Sequence, residues 1–286
     1  MTFRVTRTCS KQNGFARQLL IALGLWTGFL SPASALPASD QELVLAIQPI
    51  LSESNTRKAY QPLANYIEKV TGRKCSIKTT PNFLAYWSEV TRSRENMIYV
   101  DAAHFTAYRA RKQGYQVLAK VPDSVSYSLI VSDNNIIFDP TELTAKRVAT
   151  LGAPSIGAAR LNGMFPNPVR QPIIVEVANA ETGIKMVIEN KVDAAIIPTP
   201  IVSSAMSQGT PINVVTTTEP MPHIAVSTSP DIDSATTNKI RQALLQASDR
   251  EDGQAMLQQI GFPKFDPANG GIYQNQDNIL KTYWGF

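Results

Sequence analysis

Few side chains in this sequence could do chemistry, and their spacing speaks against catalysis. The imidazoles are His104 and His223. Neither stands in a His-Glu-x-x-His helix. The chain has no Gly-x-Ser-x-Gly elbow and no phosphate loop ending in Gly-Lys-Ser/Thr. Without a nucleophile, a base and a group to orient it, no reaction class can be assigned, and the reading is of a protein that is not an enzyme. Each histidine is either a structural hydrogen-bonding residue or a ligand contact. A metal site joining both histidines to Cys75 or a carboxylate has no support in the spacing, and nothing in the sequence calls for a cofactor.

Two positions are better placed. Asp101 directly follows the apolar run Met97 to Val100 and precedes a helical pattern. In open α/β sheets that edge is where ligands bind, although Asp also caps helices well. The segment Ala153-Pro154-Ser155-Ile156-Gly157 has the same placement after Arg147 to Leu151. Free N–H groups at a helix start attract anions, and Ser155 adds a hydroxyl. The same residues also make an ordinary turn.

The elements that must position these residues alternate in type. Leu43 to Ile47 reads as a buried strand. Tyr60, Leu63, Ala64, Ile67 and Val70 then recur at helical spacing and stop at Gly72. Pro62 fits that helix only near its first turn or at a kink. Strands at 75–79, 97–100 and 116–121 alternate with helices at 83–90 and 103–113. This order predicts a largely parallel sheet with helices on both faces. The theme recurs downstream, with strands at 127–132, 147–151, 173–177, 193–197, 212–215 and 224–228. A helix is expected from about Ala158, another from Ala180 to Ile188, and two more at 234–248 and 251–260. Ser234 is the expected N-cap and Gly261 the expected stop. If the last helices return to the first unit, the chain crosses between two lobes near Val125 to Tyr127 and near Met221 to Ile224. Two such strands make a hinge. The expected division is 36–125 with 224–286 as one lobe and 126–223 as the other.

The N-terminus predicts export. Arg4, Arg7, Lys11 and Arg17 precede an apolar run of 12 residues, Leu19 to Leu30, and Ala33-Ser34-Ala35 offers a small-x-small cleavage site. A membrane anchor needs about 20 apolar residues, so residues 1–35 read as a cleaved signal peptide and the location as periplasmic. Cleavage removes four basic residues and no acidic one, leaving 23 basic against 23 acidic. The basic balance therefore belongs to the leader and is no argument for nucleic-acid binding. Of the two cysteines only Cys75 would remain, so no intramolecular disulfide can form.

Several short segments, in order, resemble the phosphate, phosphite and phosphonate-binding proteins of ABC importers. They are Leu45-Ala46-Ile47-Gln48-Pro49, Gln61-Pro62-Leu63-Ala64-Asn65-Tyr66-Ile67 with Thr71-Gly72, Lys146-Arg147-Val148-Ala149, and Asn190-Lys191-Val192-Asp193-Ala194-Ala195. The resemblance implies an α/β fold of the type II periplasmic-binding class: two lobes, each a mostly parallel sheet flanked by helices, with two crossover strands as hinge. Placement at the strand ends and the resemblance together give the expected ligand contacts: Gln48, Phe83, Asp101, His104, Tyr127, Ser155, Gly157 and Thr199. The departures from the family pattern lie among these positions. Phe83 stands where a Tyr is common, Asp101-Ala102 replaces a Gly-Pro, and Pro198-Thr199 stands where an acidic residue often follows. Of the usual Ser/Thr cluster only Ser155 keeps its hydroxyl, with Ile156 and Ala158 beside it. Each hydroxyl bond to a charged ligand is worth about 1.5–3 kcal/mol, so losing two or three costs several powers of ten in affinity. An ionised Asp101 in the cleft would repel an anion as well. Walls such as Phe83, Phe105, Tyr127 and Ile156 suit a small organic molecule, neutral or cationic.

The expected function is capture of a small ligand for an inner-membrane ABC permease, with specificity diverged from phosphonate. The alternative is a ligand-sensing or adaptor protein that signals to a membrane partner, which a degraded anion site would also suit.

Overall fold

A computed structural model describes residues 41–92 and 95–284. The expected leader and its cleavage site lie outside the described residues. Strands β1 (Leu43–Ile47), β2 (Cys75–Lys78), β3 (Met97–Asp101) and β4 (Gln116–Lys120) alternate with helices α1 (Glu53–Thr71), α2 (Phe83–Arg92) and α3 (Ala103–Lys112). After the short β5 (Ser124–Val125) come β6 (Tyr127–Ser132), β7 (Arg147–Thr150), α4 (Ile156–Met164), β8 (Ile173–Glu176) and α5 (Ala180–Ile188). Then follow β9 (Ala194–Pro198), α6 (Thr199–Ser207), β10 (Ile212–Thr217), β11 (Met221–Pro222) and β12 (Ala225–Thr228). The chain closes with α7 (Ser234–Leu245), α8 (Glu251–Ile260), β13 (Asp266–Pro267) and α9 (Asn278–Trp284).

The strands form two main sheets, one ordered β13-β4-β12-β3-β1-β2 and the other β10-β6-β9-β7-β8. In each, three strands run parallel (β2, β1 and β3; β8, β7 and β9), and the next strand enters antiparallel from the other half of the chain. The intruders are β12 in the first sheet and β6 in the second. Both connections between the sheets pass through β5 and β11, which pair with each other at Met221↔Val125 and Pro222↔Ser124. Lobes of this kind, joined by crossover strands, constitute the type II periplasmic-binding fold.

The core explains the pattern. β1 and β3 are buried nearly throughout, as continuous apolar strands covered on both faces must be. Leu63, Ala64 and Ile67 of α1 bury beneath β1, beside Ile240 and Leu244 of α7 and Leu257 of α8. Each such fully buried aliphatic side chain is worth roughly 1.5–3 kcal/mol. A second apolar cluster is continuous across the lobes, joining Tyr99 and Phe105 of the first to Ala149 and Ile197 of the second. α9 straddles the same boundary, packing on both α3 and α4.

Three local expectations are corrected. α1 begins at Glu53, two turns before the apolar stripe shows, because that stretch is mostly exposed; Pro62 therefore sits in the helix interior. The bond its ring removes would end on Lys58, which faces water. α4 starts at Ile156 rather than Ala158. Asp233, not Ser234, caps α7, its carboxylate accepting from Thr236 N at 2.8 Å. The helix stops hold: Gly72 and Gly261 both adopt φ 74°.

One glycine is sterically committed. A Cβ on Gly253 would lie 2.3 Å from the Ala247 carbonyl oxygen and 2.6 Å from its Cα, both backbone atoms. Gly253→Ala gains roughly 1 kcal/mol of helix propensity, but it forces α8 off the turn beneath it. The expected net loss is about 2 kcal/mol, as overpacking typically costs. Urea unfolding checks this, and an unchanged midpoint would contradict it.

Candidate functional site

The carboxyl ends of β1, β3 and β9 meet where the lobes join, and a cavity of about 140 Å³ lies there. From the first lobe it is lined by Gln48, Ile50, Leu51, Thr56, Tyr60, Ala102, Ile224 and Phe262. Val125 and His223 come from the crossings, and Tyr127, Pro198, Pro200 and Ile201 from the second lobe.

Gln48 and Tyr127 are thus brought together. Gln48 is buried, and its Oε1 accepts from Ala102 N at 3.0 Å, tying the end of β1 to that of β3. Tyr127 is held by backbone: Thr218 Oγ1 accepts from its N–H at 3.0 Å, and its carbonyl accepts from Thr218 N at 2.9 Å. Burial holds its phenol well above the usual range. Gly157 lies under this ring, where a Cβ would sit 3.4 Å from Tyr127 Cδ1 and 3.3 Å from the Ile196 carbonyl. Thr199 stands next to the cavity-lining Pro198 and Pro200. Its hydroxyl bonds Ser126 Oγ and Ser128 Oγ, both at 2.9 Å.

The other expected contacts lie elsewhere. Phe83 is buried in the first lobe, stacked on Phe105 at 6.1 Å. Ser155 caps α4, its Oγ accepting from Ala158 N at 3.3 Å, so the hydroxyl is engaged within the chain. Asp101 is fully buried and does not face the cavity. Its carboxylate accepts two bonds from Arg109, at 2.7 and 2.6 Å, one from Tyr86 OH at 2.6 Å and one from Thr106 Oγ1 at 3.1 Å. The expected repulsion of an anion by Asp101 is therefore corrected: the buried guanidinium neutralises it. Arg109 in turn lies over the Tyr99 ring at 3.9 Å.

His104 bridges the lobes. Its Nε2 donates to the Pro154 carbonyl at 2.9 Å, and Nδ1 has no partner among the described residues. Burial, with Arg109 adding repulsion, pushes this imidazole down to about 3, against the pull of the Pro154 bond. A histidine in the unfolded chain titrates near 6.5, so between those values the unfolded state binds more protons. The stability held by neutral His104 is complete above about pH 6.5 and falls away as pH drops. His104→Gln is expected to remove about 2 kcal/mol of the parent's stability loss between pH 7.5 and 5. Denaturant titrations at both pH values test this; equal losses in parent and variant would contradict it.

At the cavity's rim the lobes touch again. Ala180 N of α5 donates to the Ile50 carbonyl at 2.8 Å. The Glu181 carboxylate accepts from Ser52 N at 3.2 Å and from Asn55 Nδ2 at 2.5 Å. Ser52 is the N-cap of α1 and makes no side-chain capping bond itself. A carboxylate of one lobe thus satisfies the helix start of the other, where the helix dipole favours an anion.

Sequence reasoning did not single out Tyr60, Ile201, Ile224 or Phe262. Tyr60 was visible only as part of the α1 stripe. Phe262 follows the Gly261 stop and meets Tyr60 edge-on at 6.3 Å, through folding alone. Among the described residues no group of three or more His, Cys, Asp or Glu is placed to hold a metal ion, and no helix is long and apolar enough to cross a membrane.

A family model for the periplasmic phosphonate substrate-binding proteins of ABC transporters matches residues 45–272. The chain belongs to that family. No curated protein matches the sequence. Among solved structures, this binding protein is similar to PhnD1 of Prochlorococcus marinus in complex with methylphosphonate, at TM-score 0.73 and 11% identity over 86% of this chain and 99% of that one. It is similar to a binding-protein component of an ABC phosphonate transporter from Pseudomonas aeruginosa, at 0.71 and 11% over 85% and 86%. It is also similar to MatC of Rhodopseudomonas palustris with bound malate, at 0.63 and 12% over 85% and 98%. At such identities these likenesses are ones of fold.

Proposed function

We propose that this substrate-binding protein captures a small ligand between lobes 36–125 with 224–286 and 126–223, pivots on the paired β5 and β11, and delivers its cargo to an inner-membrane ABC permease. The observation that carries the reading is the cavity itself. It lies at the carboxyl ends of both sheets and beside both crossings, where a hinged pair of lobes encloses a ligand. Export would follow cleavage after Ala35, which suits a periplasmic family. Its specificity departs from phosphonate: Ser155 is engaged in capping, and among the described residues no Lys or Arg lines the cavity. The Gln48 and Tyr127 side chains are the contacts this reading keeps, while the Thr199 hydroxyl is engaged with Ser126 and Ser128.

The test is a thermal-shift and small-angle-scattering screen of the purified protein against phosphate, phosphite, methylphosphonate, amino acids, amines and uncharged metabolites. A ligand outside the phosphorus oxyanions should raise the melting temperature by mass action and stabilise the compact, closed form. A large shift with methylphosphonate would overturn the divergence. A tight ligand that binds without favouring closure would overturn the two-lobe mechanism, and silence across the screen would favour an adaptor that carries no cargo.

A further inference from the structure

The lining of the cavity says what kind of molecule would be captured, given that capture happens there. We infer that the cavity takes a compact, uncharged molecule with an apolar body about the size of one ring and a single hydrogen-bond-accepting group, and that it discriminates against oxyanions.

Three independent features point this way. Among the described residues the lining includes no Asp, Glu, Lys or Arg. Besides hydroxyls, which can donate or accept, it offers two neutral donors. Gln48 Oε1 is engaged with Ala102 N, which leaves the amide N–H₂ for a ligand. His223 Nδ1 accepts from Ile224 N at 2.8 Å, so the ring proton sits on Nε2 as a donor. Burial, together with nearby Lys120, pushes that ring down to about 4, so it brings no charge at neutral pH. Donors of this kind suit a carbonyl or similar acceptor.

Finally, three places where an oxyanion could find positive potential are already taken, although the starts of α3 and α6, at Ala102 and Pro198 of the lining, carry no side-chain cap. The start of α1 holds Glu181 from the opposite lobe. The start of α4 holds its own Ser155 side chain. The Arg109 guanidinium is fully buried against Asp101. An oxyanion entering this site would lose its hydration with no cationic side chain among the described lining residues in return, and it would do so near the Glu181 carboxylate. Size sets the other bound, since an apolar cavity of about 150 Å³ is known to hold a benzene-sized guest, and this one measures about 140 Å³.

A panel matched in size and differing in charge tests the inference: benzamide, benzylammonium, benzoate and phenylphosphonate, each titrated calorimetrically into the purified protein. Benzamide should bind at least tenfold more tightly than any charged member. Gln48→Leu should weaken benzamide about tenfold, and Ile201→Trp, which fills the cavity from the second lobe, should abolish its binding. Far-UV circular dichroism confirms that each variant is folded, and Ile224→Trp replaces Ile201→Trp if that one is not. A charged member binding most tightly would overturn the ligand class and leave the capture reading standing. Benzamide binding that survives the folded filling variant would place the ligand elsewhere and overturn the assignment of this cavity. No binding by any member would sink the ligand class and count against capture itself.

Discussion

Arg109→Met is expected to lower the melting temperature by roughly 10 °C. The substitution leaves the Asp101 carboxylate fully buried with two of its bonds gone. Removing one partner of a buried ion pair typically costs about 3–5 kcal/mol, and each kcal/mol shifts a domain of this size by about 2–4 °C. Part of the loss is packing, because the guanidinium lies over Tyr99. The paired replacement Asp101→Leu with Arg109→Met removes both charges and should recover much of the loss, although it leaves Tyr86 OH without its acceptor. Calorimetric scans of both single variants and the double variant form the cycle that separates the ion pair from its surroundings. If the double variant is as unstable as the sum of the singles, the pair is not the source of the effect.

The second large effect concerns closure rather than folding. Glu181→Ala deletes the only carboxylate described at the start of α1 from the opposite lobe and leaves Ser52 N and Asn55 to water. Hydrogen bonds to a charged group contribute about 1.5–3 kcal/mol each when buried. Asn55 is exposed, so solvent screens part of this, and about one power of ten in the open-to-closed ratio is a reasonable expectation. The expected result is a larger radius of gyration without ligand, affinity for whatever ligand the screen finds reduced about tenfold, and little change in the denaturation midpoint. The Ala180 N to Ile50 O bond is untouched by the substitution, so closure should be weakened and not lost. An affinity equal to the parent's would show that the contact follows closure without driving it.

How much of this was legible in the sequence depended on whether the signal was local. Strand and helix runs declared themselves through periodicity, and the position of the crossings followed from element order; β5 and β11 were too short to show. Gln48 and Tyr127 could be placed because a residue just past or at the end of a sheet strand stands at the cleft by topology. Asp101 has the same placement, yet it turns inward, because Arg109 two helical turns along α3 is there to receive it. That partner was in plain view in the sequence, but nothing in its spacing told a buried pair from two solvated charges. Phe83 and Ser155 illustrate the same limit. An apolar residue at a helix start can face core or cleft, and a serine before a helix can cap it or bind a ligand. The apolar wall made by Tyr60, Phe262, Ile201 and Ile224 comes from four separate elements, and only the tertiary fold assembles it.

The placement of β12 has a consequence for how the chain acquires its structure. In the first sheet β3 and β4 are not neighbours; β12 lies between them, paired at Val226↔Val100 on one side and Val226↔Ala119 on the other. About 100 residues, including every strand of the second sheet, are made between β4 and β12. The N-terminal lobe therefore cannot complete its core until the whole of the other lobe has been synthesised, and the β12 pairing closes a long loop, which is slow. The second sheet has no such debt, since all of its strands lie within 127–217. Order of synthesis and order of folding are thus reversed: the lobe that begins the chain is the one that finishes last, and until β12 arrives it presents two unpaired strand edges.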